Sequence, residues 1–149
     1  MPKHHEKRVL PYSPEQLFDL VADIEKYSEF LPWCLASRFR SRSGDTVVAE
    51  LVIGFRMFRE RFVSRVSMER PHRIHVDYLE GPMKHLSNEW VFRPHAKPNH
   101  CEVDFYVDFE FKNPVLQKVV GVLFAEAFRR MVIAFEARAQ QIYGDPDIS

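Results

Sequence analysis

Six β-prone runs follow one another between residues 35 and 111, and one long helix is the only large element left to cover them. The runs are residues 35–43, 46–54, 58–69, 72–80, 86–94 and 100–111. Gly44-Asp45, Gly54 to Met57, Gly81-Pro82 and Pro94 to Asn99 supply short connections, the spacing of antiparallel neighbours. Pro11, Pro14, Pro32, Pro71, Pro82, Pro94, Pro98 and Pro114 all fall at expected element ends, so no central strand is broken. The last run alternates: Cys101, Val103, Phe105, Val107, Phe109 and Phe111 share one face, and Glu102, Asp104, Tyr106, Asp108 and Glu110 share the other. Such a strand is buried on one side and wet on the other.

A further strand is expected at residues 4–10. Ser13-Pro14-Glu15-Gln16 is a capping box with proline at the first helical position, opening a helix to about Ala22. Asp23 can cap a second short helix to about Phe30, which Pro32 ends. Asn113-Pro114 and Gly144 bracket the long helix, residues 113–143. The predicted order is β-α-α-β-β-β-β-β-β-α in one domain, 1–144, with 145–149 a flexible tail. A curved seven-stranded antiparallel sheet with two short helices, gripping one long C-terminal helix, is an α+β helix-grip fold. Three helices cannot fill the concavity of such a sheet, so an internal space is expected.

The long helix supports that expectation. Val120, Phe124, Phe128, Met131, Phe135 and Ile142 stack into one stripe at helical spacing. Its first half carries a second apolar set, Val115, Val119, Val122 and Leu123. A helix apolar on two sides has another client besides the core: ligand, membrane or partner.

Formal net charge is zero, which removes any global electrostatic case for nucleic acid. Locally, nine arginines lie between Arg38 and Arg73 against Asp45, Glu50, Glu60 and Glu69, and Arg59, Arg61 and Arg65 form a candidate basic surface patch. Cys34 and Cys101 have no metal or disulfide-framework spacing, which suits a reducing compartment. No apolar leader or membrane-length segment is present, so the expectation is a cytoplasmic protein that at most touches a membrane's inner face.

Parity places Phe58, Glu60, Phe62, Ser64, Val66 and Met68 on one face of their strand, Ile74, Val76 and Tyr78 together on the next, and Leu86, Asn88, Trp90 and Phe92 on the one after. The inner surface is therefore aromatic and aliphatic, with Glu60, Ser64 and Asn88 as isolated polar groups. Glu60, Asn88 or Tyr78 either meets the polar head of a ligand or pairs within the protein, because unpaired burial is costly. The glycines Gly44, Gly54, Gly81, Gly121 and Gly144 are scattered, with no phosphate-binding loop. There is no GxSxG or HExxH motif, and His72 and His75 fall on opposite strand faces. No catalytic residue, metal ligand or cofactor site is assigned.

The run from Pro11 to Tyr27 continues into Phe30-Leu31-Pro32-Trp33-Cys34. Ala49 to Phe55, Ser64-Arg65-Val66, Leu86 to Phe92, Asp108 to Phe111 and Met131 to Glu136 go with it. Together they resemble the coenzyme Q-binding START-like family of the polyketide cyclase/START superfamily, over nearly the whole chain. The resemblance implies a cavity for a hydrophobic ligand, a ubiquinone-like polyprenyl quinone, held as ligand rather than cofactor and without a catalytic step. It also implies an alternative, since bacterial members include a ribosome-association toxin reported to block subunit joining.

The lining expected for such a ligand is Leu31, Trp33, Phe55, Phe58, Glu60, Phe62, Tyr78, Met83, Leu86, Asn88, Trp90, Phe109, Val119, Leu123, Phe128 and Met131. Its mouth is expected near Gly54–Phe58 and Glu80–Leu86, where Phe55, Met57, Phe58, Met83 and Leu86 make apolar turn tips. A lipid carrier supporting respiration would add peripheral membrane contact through the arginines. A ribosome-binding factor would use the same arginines on phosphate. An aromatase/cyclase-type enzyme would use Glu60 as an acid–base group, and lacks a convincing second one.

Overall fold

The computed structural model describes residues 3–55 and 58–144; the Phe55 side chain, Arg56, Met57 and the 145–149 segment lie outside that description. In chain order the elements are β1 (Lys3–Leu10), α1 (Pro14–Ala22), a 3₁₀ helix (Ile24–Glu29), β2 (Cys34–Ser43), β3 (Thr46–Phe55), β4 (Phe58–Glu69), β5 (Arg73–Glu80), β6 (Met83–Pro94), β7 (Cys101–Phe111) and α2 (Pro114–Tyr143). The seven strands form one antiparallel sheet in the order β1-β7-β6-β5-β4-β3-β2, so the first strand lies beside the last. This is the helix-grip architecture.

Local chemistry fixes the helix ends. Ser13 Oγ accepts from Gln16 N at 3.2 Å while Gln16 Oε1 accepts from Ser13 N at 2.9 Å, the reciprocal box that starts α1. Asn113 Oδ1 accepts from Val115 N and Leu116 N and starts α2. Gly144, with φ of +82°, ends it, donating its N–H to the Gln140 carbonyl.

The expected second short helix is present as a 3₁₀ segment, Ile24–Glu29. Two expectations are corrected. β6 begins at Met83, three residues earlier than its alternation suggests, because it pairs with β7 out to Met83–Phe111 and Tyr78 Oη accepts the Met83 N–H at 3.0 Å. Met83 is consequently buried rather than a turn tip. Ile142 leaves the apolar stripe and is half exposed, because the last turn of α2 is held on another side: Tyr143 Oη donates to the Gln16 carbonyl of α1.

The interior divides in two. One core gathers α1, the 3₁₀ helix and one end of the sheet around Phe18, Val47, Ile74 and Phe92, and takes in Ala139 of α2. The other is smaller: Met83, Phe109, Phe111 and Leu116. Leu116 and Ala139 are the buried residues of α2, so the helix is anchored at both ends and its centre spans the gap.

Candidate functional site

That gap is a cavity of about 280 Å³, near the lower end of the range for small-molecule sites. Its floor is the inner face of β3 to β7, its roof is α2 from Leu116 to Phe135, and Ile24, Tyr27, Leu31 and Trp33 close one end. The walls are nearly all hydrocarbon. An aromatic ladder ties the roof to one side of the sheet: Phe124 meets Phe109 at 5.4 Å, Phe128 meets Phe105 at 5.2 Å and Phe135 meets Trp90 at 5.5 Å, all between ring centroids. His4 of β1 adds a contact to Phe128 at 4.0 Å. Each ring pair adds about 0.5–1.5 kcal/mol beyond its area burial.

The helix therefore leans toward β1, β6 and β7. Among the described residues α2 makes no hydrogen bond, ion pair or ring contact with β2, β3 or β4; its polar ties run to Arg8, Glu29, Phe111, Tyr12 and Gln16. Ile53, Gly54, Phe58 and Glu60 line the cavity on that side, where apolar packing of Ile53 and Phe58 against the smaller core replaces polar ties. They keep some exposure, as do Leu123 and Ala127 of α2. Part-exposed liners of α2 and of the adjoining ends of β3 and β4 thus border the cavity together. Toward Glu80–Leu86, Met83, Phe111 and Leu116 are buried, while Leu86 lines the cavity and keeps some exposure.

Leu31, Trp33, Phe58, Glu60, Phe62, Met83, Leu86, Asn88, Trp90, Phe109, Leu123, Phe128 and Met131 all line the cavity. Tyr78 and Val119 do not. Tyr78 shares the inner row with Ile74 and Val76, pairing with Ser64, but packs against the Met83, Phe109 and Phe111 core with its hydroxyl engaged at the β5–β6 turn. Val119 lies on the side of α2 turned from the sheet, with Val115 and Val122, which are 61% and 75% exposed. Phe55 falls outside the description. Phe105, Phe111, Val120, Phe124 and Phe135 also line the cavity, a signal carried by the alternation of β7 and the helical stripe, and so does Leu116, one turn before the stripe and not included in it.

The polar liners differ in how they are satisfied. Asn88 Nδ2 donates to the Tyr106 carbonyl at 2.8 Å and its Oδ1 accepts from Trp90 Nε1 at 3.1 Å. Tyr27 donates to the Val21 carbonyl, and burial pushes its phenol far above the usual range, so it stays protonated. Glu60 has no hydrogen-bond or ion-pair partner among the described residues and is partly exposed. Ser64 Oγ is buried without a partner.

On the opposite face Glu50, 7% exposed, receives Arg38 Nε at 3.1 Å and Arg40 Nε at 2.8 Å, with Arg61 3.9 Å away. The Arg38 hydrogen bond, more than its offsetting desolvation, holds the Glu50 carboxyl below the usual range. Arg59, Arg61 and Arg65 are exposed there, and Arg59 and Arg65 have no ion-pair partner among the described residues. Among the described residues no cluster of His, Cys, Asp and Glu could hold a metal, and no helix is long and apolar enough to cross a membrane.

The family described as polyketide cyclase / dehydrase and lipid transport matches residues 10–136. The chain belongs to that family. It is 37% identical over 139 residues to the ribosome association toxin RatA of Rickettsia prowazekii, covering 91% of this chain and 94% of that protein. It is also 37% identical over 149 residues to the mitochondrial coenzyme Q-binding protein COQ10 homolog B of Xenopus laevis, covering 98% of this chain and 61% of that longer protein. The solution structure of an 18 kDa protein from Caulobacter crescentus superposes with a TM-score of 0.78 at 37% identity, over 97% of this chain and all of that one.

Proposed function

We propose that this chain binds a polyprenyl quinone of the ubiquinone kind and shields it from water, acting as a carrier or chaperone in support of respiration, with no catalytic step. The observation that carries this reading is the cavity beneath the centre of α2, walled by aromatic and aliphatic side chains; its entrance is assigned to the side where α2 has no polar or ring tie to the sheet. Burial of apolar ligand surface there is the driving term, at about 25 cal/mol per Å². The half of α2 beside that entrance exposes Val115 and Val122, an apolar strip suited to a lipid surface at the moment of loading. The 37% identity to a coenzyme Q-binding protein supports the quinone as the ligand class.

The test uses Trp90, which lies in the cavity wall. In a Trp33→Phe background, a short-tailed ubiquinone analogue should quench its fluorescence saturably. Organic extraction of the purified protein followed by mass spectrometry should recover a polyprenyl lipid. No quenching and no extracted lipid would reject the reading.

A second reading has its own observation. The exposed Arg59 and Arg65, with Arg61 between them, lie on the face turned from the cavity. They suit a phosphate-rich surface, and the likeness to a ribosome association toxin makes the ribosome the surface to test. A cyclase-type enzyme would need an acid–base pair in the cavity, where Glu60 is the single carboxylate among the described liners.

A further inference from the structure

Among the described residues, Ser64 is the one cavity liner whose polar atom is buried and has no hydrogen-bond partner. The residue is 2% exposed. Its neighbours explain why the hydroxyl is left over. On β3 it faces Ala49, which has no polar side-chain atom, and on β5 it faces Tyr78, whose hydroxyl already accepts the Met83 N–H. Along its own inner row Phe62 and Val66 flank it. A buried hydroxyl with no partner destabilises the ligand-free fold, so a group that satisfies it recovers that cost.

The other polar liners are placed differently. A carboxylate accepts hydrogen bonds and donates none, which sets Glu60 apart. Asn88 is already tied at both ends of its amide, donating one N–H to Tyr106 and accepting from Trp90. Trp33 closes one end of the cavity, whereas Ser64 is the buried liner with nothing satisfied. Glu60 and Ser64 are four residues apart on one strand, roughly 13 Å along it, with Glu60 toward the β3–β4 hairpin and Ser64 deeper in. The row thus runs from a partly exposed carboxylate to a buried, unused donor.

We propose that Ser64 Oγ donates a hydrogen bond to a carbonyl or ether oxygen of the bound ligand, so that the ligand seats its oxygen-bearing end inward and leaves its hydrocarbon tail toward the entrance beneath α2. This rests on the reading of the cavity as a quinone site, and it adds the ligand's orientation and the residue that sets it.

The experiment measures binding by calorimetry for wild type and Ser64→Ala with two ligands: a short-tailed ubiquinone analogue, and the same tail on a methylated benzene lacking ring oxygens. Ser64→Ala should bind the quinone about five- to tenfold more weakly, the worth of one net hydrogen bond. It should bind the hydrocarbon as wild type does. Without ligand it should melt no lower than wild type, because it removes an unsatisfied group. Equal losses for both ligands, an unchanged quinone affinity, or a lower melting temperature without ligand would each overturn the proposal. A wild type that binds neither ligand overturns the quinone reading as well; a wild type that binds the quinone, with Ser64→Ala unaltered, overturns the orientation alone.

Discussion

Leu116 and Ala139 stand at opposite ends of α2, about 35 Å apart along its axis, and each is buried in a different core. Everything between them is held less tightly, including the stripe that the sequence would place in one continuous interior. A helix pinned at two ends over a hollow behaves differently from one seated on a packed core along its length.

Leu116→Ala should therefore cost about 2–5 kcal/mol, the range for truncating a packed leucine. Phe128→Ala, although it removes a larger side chain, should cost less than the roughly 3–5 kcal/mol usual for a packed phenylalanine, because Phe128 is only partly buried whereas Leu116, which lines the same cavity, is 2% exposed. Urea denaturation of both variants checks the order. A larger loss at Phe128 would mean that the space beneath it is filled by protein.

Much of this was readable in advance, for identifiable reasons. Capping chemistry at Ser13 and Asn113 is local, so the helix starts follow from a few residues. Alternation in β7 is undisturbed, so Phe105, Phe109 and Phe111 face inward as their parity says. Parity failed where pairing overrode it. A bulge between Met83 and His85 hides the true start of β6, whereas Tyr78 keeps the inner-row register its parity says and is taken up by the smaller core and the Met83 N–H. Gly81 reads as a loop residue but has a tighter role: its φ is +142°, and a side chain there would meet Phe62 Cβ at 2.7 Å. Ser64 was visible as a polar residue in a Phe-rich row, yet only the structure shows that nothing satisfies it.

Glu50 should make the protein acid-sensitive in a defined direction. The Arg38 hydrogen bond lowers its folded-state pKa, so its stabilisation is complete above the unfolded carboxylate value, about 4.3, and is lost as pH falls through the lower folded value. Glu50→Gln should melt lower than wild type at pH 7, with the gap closing in acid. Melting curves at pH 7 and below pH 3 decide it; a gap that widens in acid would show that Glu50 is not held ionised by its arginines.

Both cysteines should be silent toward thiol reagents in the native state. Cys34 and Cys101 are free and buried, and burial raises both thiols, Cys101 to about 11. At pH 8 the reactive thiolate is therefore scarce as well as covered. Labelling by a disulfide exchange reagent should be slow in buffer and complete in urea. Fast labelling of either residue in buffer would place it at a surface that opens readily.

The two surface readings separate by mutation. Val115 and Val122 form the exposed apolar strip of α2 beside the proposed entrance, whereas Arg59 and Arg65 lie on the opposite face of the sheet. Insertion of the strip into lipid is worth about 0.8 kcal/mol for each buried CH₂. Val115→Ser with Val122→Ser should accordingly weaken co-sedimentation with lipid vesicles by about tenfold or more, and leave ribosome co-sedimentation unchanged. Arg59→Gln with Arg65→Gln should do the reverse if the ribosome is the partner, and that binding should fall steeply with salt because phosphate contacts release counterions. Vesicle binding that survives the serine pair would mean that the α2 strip faces another protein surface, and loading of the cavity would then not begin at the membrane through this helix.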